Sequence, residues 1–262
     1  MKFKIDHDLH IHSHLSLCSN DPEQNAENIL AFAEENGINT LCLTDHYWDS
    51  KVEGASEWYS AQNFDHIKQA LPLPQGKNAR FLFGCETEMD KFFTVGIPKE
   101  RYDDFDFIVI PTTHMHMVGF TIPEEAKYDL EMKARLWIER LDRLFEMDLP
   151  FHKVGIAHLN CPLIHSYDKA EYLKIMDMIP EKEMERVFTK AAELGCGIEL
   201  NMRYSPDEEK TVLRPFKIAK ECGCKFYYAS DSHHPSNFKM KLDFAHNFID
   251  YLGLTEEDKF II

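Results

Sequence analysis

A (β/α) barrel of about seven parallel strands, built as one domain over residues 1–262, is the fold this sequence predicts. Three observations carry that expectation. Strand-like apolar runs alternate with amphipathic stretches about seven times, which calls for a parallel sheet. No linker rich in Gly, Pro or Ser and no internal repeat interrupts the alternation. Nearly every strand-like run ends in His, Asp or Glu, and a barrel of parallel strands gathers its chemistry at the C-terminal strand ends.

Residues 2–9 read as the first strand. At its end Asp8-Leu9-His10-Ile11-His12 puts two imidazoles at i and i+2, on one strand face and close enough to share an ion. One His-x-His is a weak signal, because buried strand histidines are often satisfied core residues. Its recurrence in other forms strengthens it. Residues 28–36 are helical, with Ile29, Leu30, Phe32 and Ala33 apolar and Gly37 as the stop. Residues 38–44 form a second strand, apolar throughout as if covered on both faces, and lead into Asp45-His46. A helix over 56–70 gives way to Pro72-Leu73-Pro74-Gln75-Gly76, a loop by composition.

Residues 80–85 make the third strand, ending at Glu86, and 92–97 suit a short excursion strand. The fourth strand, 105–110, leads to Thr113-His114. A long helix over 124–147 carries Leu130, Ala134, Trp137, Ile138, Leu141, Leu144 and Phe145 at helical spacing. The fifth strand, 154–157, ends at His158. Helices follow at 168–178 and 181–194, the second stopped by Gly195. The sixth strand, 197–201, offers Asn201 and Arg203 rather than a metal-type residue. A helix over 207–222 ends at Gly223. The seventh strand, 225–230, leads to Asp231-Ser232-His233, and a last helix spans 238–252.

Composition narrows the function. Hydrophobic content of 44% and aromatic content of 12% describe a chain with a well-filled core. A formal charge of -16 disfavours nucleic acid, whose phosphates need basic grooves. It leaves room for a small phosphorylated substrate, because bound metal ions reverse the local field. The 7 cysteines are scattered, with no Cys-x-x-Cys, so a zinc ribbon or redox pair is not expected. Met1 to Asp6 runs straight into charged residues without the apolar segment of a signal peptide, and no uncharged run suits a membrane span. The cytoplasm is the expected compartment.

The residues that carry chemistry are those at the strand ends: His10, His12, His46, Glu86, His114, His158, Asp231 and His233. Six histidines and two carboxylates on one rim exceed what a single ion can use. Two or three divalent ions satisfy them. Imidazole and carboxylate ligands without thiolate fit catalytic Zn, Mn or Fe. Asp8 and Asp45 read as partners that fix imidazole tautomers. Tyr47 and Trp48 are candidates for a pocket wall, with core packing the competing role. His7, His66, His152, His165 and His246 are read as surface or helix residues without a metal role.

The blocks Asp-Leu-His-Ile-His-Ser (8–13), Leu-Thr-Asp-His (43–46), Gly-Cys-Glu (84–86), Ala-His (157–158), Ile-Glu-Leu-Asn (198–201) and Ser-Asp-Ser-His (230–233) resemble the PHP (polymerase and histidinol phosphatase) family. The resemblance covers nearly the whole chain. It implies a distorted seven-stranded barrel and a two- or three-metal phosphoesterase centre. By the family pattern one ion takes His10, His12, Glu86 and Asp231, and a second shares Glu86 and adds His114 and His158. A third takes His46, His233 and a ligand from the loop after the first strand. Asp21 is the expected loop ligand, with Asn20 and His14 as alternatives. His116 competes with His114, or else faces substrate.

The implied reaction is attack of a metal-bridging hydroxide on the phosphorus of a small phosphate ester. Arg203 is the candidate cation for the phosphate oxygens. His116 or His234 is the candidate proton donor to the leaving group. Histidinol phosphate is the first substrate to try. The alternatives are an amidohydrolase-like hydrolase of C–N or C–O bonds and a non-catalytic metal-binding PHP module.

Overall fold

The computed structural model describes residues 1–159, 169–201 and 210–262. Its strands are β1 (His7–Ile11), β2 (Thr40–Leu43), β3 (His46–Tyr47), β4 (Arg80–Thr87), β5 (Phe107–Pro111), β6 (Val154–Ala157), β7 (Gly197–Leu200) and β8 (Lys225–Tyr228). They pair in parallel in the order β1-β2-β4-β5-β6-β7-β8, with the short β3 beside β4. The ring closes where Ile11 bridges Ser232. There His12 N donates to Ser232 O at 3.0 Å and Asp231 N donates to His10 O at 2.8 Å. The expected barrel of seven strands is therefore the fold, with β3 continuing the second strand past Thr44-Asp45.

The helices are α1 (Ala26–Asn36), α2 (Glu57–Ser60), α3 (Phe64–Ile67), α4 (Leu130–Phe145), α5 (Lys169–Met178), α6 (Glu181–Leu194), α7 (Lys210–Glu221) and α8 (Asn237–Leu252). Gly37 and Gly195 end α1 and α6 with left-handed φ of 71° and 74°, a conformation glycine adopts without steric cost. No described helix is long and apolar enough to cross a membrane.

Four expectations shift, each for a local reason. The first strand starts at His7, because Phe3 N bonds Leu254 O and Lys2 bridges Thr255, drawing the N-terminus to the C-terminal segment. The helix expected over 56–70 is two short helices and a 3-10 turn. Ser56 and Asn63 each cap a new start, accepting from Tyr59 N and His66 N. The helix expected from 124 begins at Leu130, capped by Asp129, after a 3-10 turn at Glu124–Lys127. The 92–97 segment is no strand beyond one Met89–Val95 bridge. The Asp90 carboxylate takes the amides of Phe92 and Thr94 and makes the segment a turn.

Two apolar layers set the side-chain directions. Leu9, Cys42, Leu82, Phe107, Val109, Ala157, Tyr227, Ala229 and Phe260 form one cluster, filling the barrel below the rim. The strand residues between them, such as Leu41, Leu43, Phe81, Phe83, Ile108, Ile110, Ile156 and Ile198, pack outward in the larger cluster with the helices. Gly155 belongs to the crowded interior: a Cβ there would lie 2.5 Å from the Phe107 ring and 2.6 Å from Tyr227 Cζ.

Candidate metal centre

Alternation alone would not aim all the rim side chains inward. Leu9 belongs to the inner cluster and Ile11 to the outer, although residues two apart on a regular strand share a face. The β1–β2 register shifts between Asp8 and Ile11, and this irregularity turns His10 and His12 into the barrel mouth. On β6 the inward Ala157 is followed directly by His158, which also faces inward because its φ is +64°. Asp231 has φ +49°. Such left-handed backbone is uncommon for side chains with a Cβ and persists where the surroundings hold it. For His158 two hydrogen bonds do so: its N–H donates to Glu199 Oε2 at 2.8 Å, and the Thr113 hydroxyl donates to its carbonyl.

Glu86 sits at the centre. Its Oε2 lies 2.9 Å from His46 Nδ1, 3.2 Å from His12 Nε2 and 3.5 Å from His10 Nε2, and its Oε1 lies 3.3 Å from His158 Nε2. Asp231 Oδ1 is 3.3 Å from His12 Nε2 and 3.5 Å from His233 Nδ1. His10 and His12 bring their Nε2 atoms within 3.0 Å. Three trios gather ligand atoms within 4.8 Å of one another: His10, His12 and Asp231; His10, Glu86 and His158; His12, His46 and His233. Neither oxygen of the buried Glu86 has a hydrogen-bond partner. A carboxylate so ringed by imidazole nitrogens fits divalent ions, since an ion satisfies oxygens and nitrogen lone pairs together.

The titration behaviour reflects this crowding. Burial alone would depress His12, but the adjacent carboxylates of Asp231 and Glu86 outweigh it and raise it to about 9. Burial would raise Glu86 and Asp231, yet the adjacent imidazoles hold both well below the usual carboxylate range. His233, pressed by burial and by the charge of His12, falls to about 3.

Second partners fix the rings. His10 Nδ1 faces Glu199 Oε1 at 2.6 Å, which leaves Nε2 for the centre. His12 Nδ1 faces Ser16 Oγ at 2.9 Å, and that hydroxyl donates to Asp45 Oδ1 at 2.6 Å. The ring must therefore be the donor at Nδ1, which leaves its Nε2 directed inward. Asp45 thus orients His12 through Ser16. Asp8 acts otherwise: its Oδ1 accepts the backbone N–H groups of Ser230 and His10 and ties β1 to the last strand. His114 Nδ1 meets Glu88 Oε2 at 2.7 Å, and Arg140, itself buried, reaches Glu88 Oε1 at 3.2 Å. Burial pushes Glu88 up to about 8. Glu88 and Glu199 are the residues the sequence reading missed. Their signal was an acid on the Glu86 face two residues on, and an acid inside an apolar strand.

A pocket of about 260 Å³ opens onto this floor. His114 and His116 both line it, their ring centroids 5.4 Å apart, and His114 stacks on His158 at 4.7 Å. Trp58, Tyr59 and Met117 supply its apolar wall. Tyr47 and Trp48, considered for that wall, are 0% and 1% exposed and belong to the core. Of the first-strand loop, Cys18 lines the pocket. Partial burial and the negative charges of Glu86 and Asp231 push its thiol up to about 12.

Asp21 stands apart from the trios: its Oδ2 pairs with His234 Nε2 at 2.7 Å and its Oδ1 accepts Glu23 N at 2.9 Å. His14 is exposed, with Nδ1 3.4 Å from Gln24 O. His7, expected at the surface, is buried; it donates from Nδ1 to Asp6 and accepts Tyr228 N at Nε2. Arg203 and His165 lie outside the described residues.

Comparison with known proteins places these features. No curated protein matches the chain. Among solved structures, histidinol phosphate phosphatase (HisK) from Lactococcus lactis subsp. lactis, solved with zinc, L-histidinol and phosphate, aligns with a TM-score of 0.59 at 15% identity. The alignment covers 98% of this chain and 99% of that one, a likeness of fold. The profile of the PHP domain matches residues 8–203, a span that runs from Asp8 through His158 to the Glu199 that orients His10. With that match over most of its length and its rim of imidazoles and carboxylates, this chain belongs to the PHP domain family.

Proposed function

We propose that this protein is a metal-dependent phosphatase acting on a small phosphorylated metabolite. One observation carries the reading: Glu86, buried at the barrel mouth with neither oxygen hydrogen-bonded, is ringed by His10, His12, His46 and His158. Two or three divalent ions, zinc foremost with manganese and iron as alternatives, are assigned to the rim. His10, His12, Glu86 and Asp231 would hold one, and Glu86, His114 and His158 would hold a second. His46 and His233 would belong to a third. When bound, such ions supply a nucleophile at neutral pH and neutralise the equatorial oxygens of the phosphoryl group.

The chain's own residues do the rest. Glu199 and Ser16 present the Nε2 atoms of His10 and His12 inward. Trp58, Tyr59 and Met117 shield the pocket from water and pack the organic part of the ester. His116, at the pocket wall beside His114, is assigned to protonate the leaving oxygen. Arg203 remains the proposed cation for phosphate. The pocket of about 260 Å³ suits a small ester rather than a polymer. Histidinol phosphate leads the candidates, because the phosphatase of the same fold was solved with histidinol and phosphate. We assign it to the cytoplasm, where thiols such as Cys42 and Cys85 stay reduced.

The test is phosphate release from a panel of phosphomonoesters by protein loaded in turn with Zn, Mn and Fe. Release from at least one ester, abolished by chelator and restored by metal, is the expected result. No release with any metal overturns the reading, and activity on amides or lactones instead would move it to C–N or C–O hydrolysis.

A further inference from the structure

The loop between His12 and α1 presents one side chain to the metal pocket, and it is not a carboxylate. Asp21 has both oxygens engaged, by His234 and by Glu23 N. Cys18 lines the pocket together with His46 and His233. Its position is held from both sides: Leu17 N donates to Gln62 Oε1 at 2.9 Å, and Ser19 Oγ donates to the carbonyl of His233 at 2.9 Å. The second bond pins the residue after Cys18 to the backbone of one of the two histidines. Cys42, Cys85, Cys196 and Cys224 are buried as core residues, whereas Cys18 is exposed.

We propose that Cys18, as a thiolate, is the loop ligand of the ion assigned to His46 and His233. The inference rests on the metal-centre reading above, and it adds a soft ligand that no imidazole–carboxylate site has. The imidazoles of His12, His46 and His233 already offer nitrogens within 4.8 Å of one another. Cys18 stands outside that trio, so ligation requires its side chain to turn toward it. Beside them Glu86, 1% exposed and without a hydrogen-bond partner on either oxygen, faces the same pocket. Ligation releases the thiol proton to solvent, because metals bind the deprotonated sulfur. A mixed imidazole–thiolate site selects zinc or ferrous iron over manganese, whereas the two ions on Glu86 keep nitrogen and oxygen ligands.

Full-length protein loaded with Co(II), and separately with Zn, tests the assignment. Wild type is expected to bind three ions per chain, with a sulfur-to-cobalt charge-transfer band and a Zn–S shell near ~2.3 Å by X-ray absorption. Cys18→Ser should lose the band, the sulfur shell and one ion while retaining the other two. Cys18→Asp should lose the band and the sulfur shell but keep the third ion, which guards against a fold defect in the first variant. A band that persists in Cys18→Ser, or a wild type that binds ions without any sulfur signal, overturns the proposal and leaves the phosphatase reading standing. A wild type that binds no metal overturns both.

Discussion

Glu86 Oε2 lies 2.9 Å from His46 Nδ1, and this pair joins β4 to β3 at the barrel mouth. The carboxylate also faces the imidazoles of His10, His12 and His158, so its charge is shared among four of the residues proposed to bind metal. Glu86→Gln keeps the shape and removes the charge. Phosphate release should fall by ~10³-fold or more, equal to about 4 kcal/mol of barrier. Metal content per chain should fall with it, as read by elemental analysis after gel filtration. Full activity in this variant would remove Glu86 from the centre.

His10 donates its Nδ1 proton to Glu199, a contact that fixes the ring without touching the centre itself. Glu199→Gln should weaken metal affinity by about 10–100-fold, the usual effect of losing an outer partner of a metal-binding histidine. Competition with a chelator of known affinity measures it, and an unchanged far-ultraviolet circular dichroism spectrum shows the barrel intact.

Metal binding should stabilise the fold as well. Binding to the native state alone adds about 2.7 kcal/mol when free metal exceeds Kd by 100-fold. For a chain of this size that corresponds to roughly 5–10 °C in the unfolding midpoint. Differential scanning fluorimetry with zinc and with a chelator should show a shift of this sign, and no shift would argue against structural ions at the rim.

Arg140 is buried on α4 and donates to Glu88 and to the carbonyls of Met89, Thr112 and Thr121. Truncating it strands those acceptors. Arg140→Ala should cost about 3–5 kcal/mol in urea unfolding, in line with breaking a buried pair from one side.

Asp6 offers a pH test away from the rim. The hydrogen bond from His7, joined by Lys259, outweighs partial burial and holds its carboxyl at about 2, below the ordinary 3.8. A carboxyl with a depressed folded value stabilises the fold fully above its unfolded value and loses that contribution as pH falls through its folded one. Asp6→Asn should therefore lower stability at pH 7 by on the order of 1 kcal/mol, given solvent screening of this half-open group. The gap to wild type should close between about pH 4 and pH 2. A gap that stays constant down to pH 2 would rule out the ionised carboxyl as its source.

The barrel was legible in the sequence because seven alternations and a recurring strand-end acid or histidine are long-range regularities. His10, His12, Glu86, His158 and Asp231 could be named because they follow apolar runs. What alternation does not encode is backbone irregularity. The register shift after Asp8 and the left-handed residues His158 and Asp231 turn side chains inward where a regular strand would send them elsewhere. Glu88 and Glu199 went unread because their partners, Arg140 and His10, are far off in the chain. Caps hidden inside polar stretches, such as Asn63 and Asp129, divided or shortened helices that periodicity alone drew as continuous.

The seam between Ile11 and Ser232 has a consequence for how the protein is made. His10 stands on β1 and Asp231 follows β8, so a nascent chain that has not yet passed β8 lacks one half of the rim. An ion spanning that seam would act as a clasp on the ring, penalising any unfolding that begins by parting its two sides.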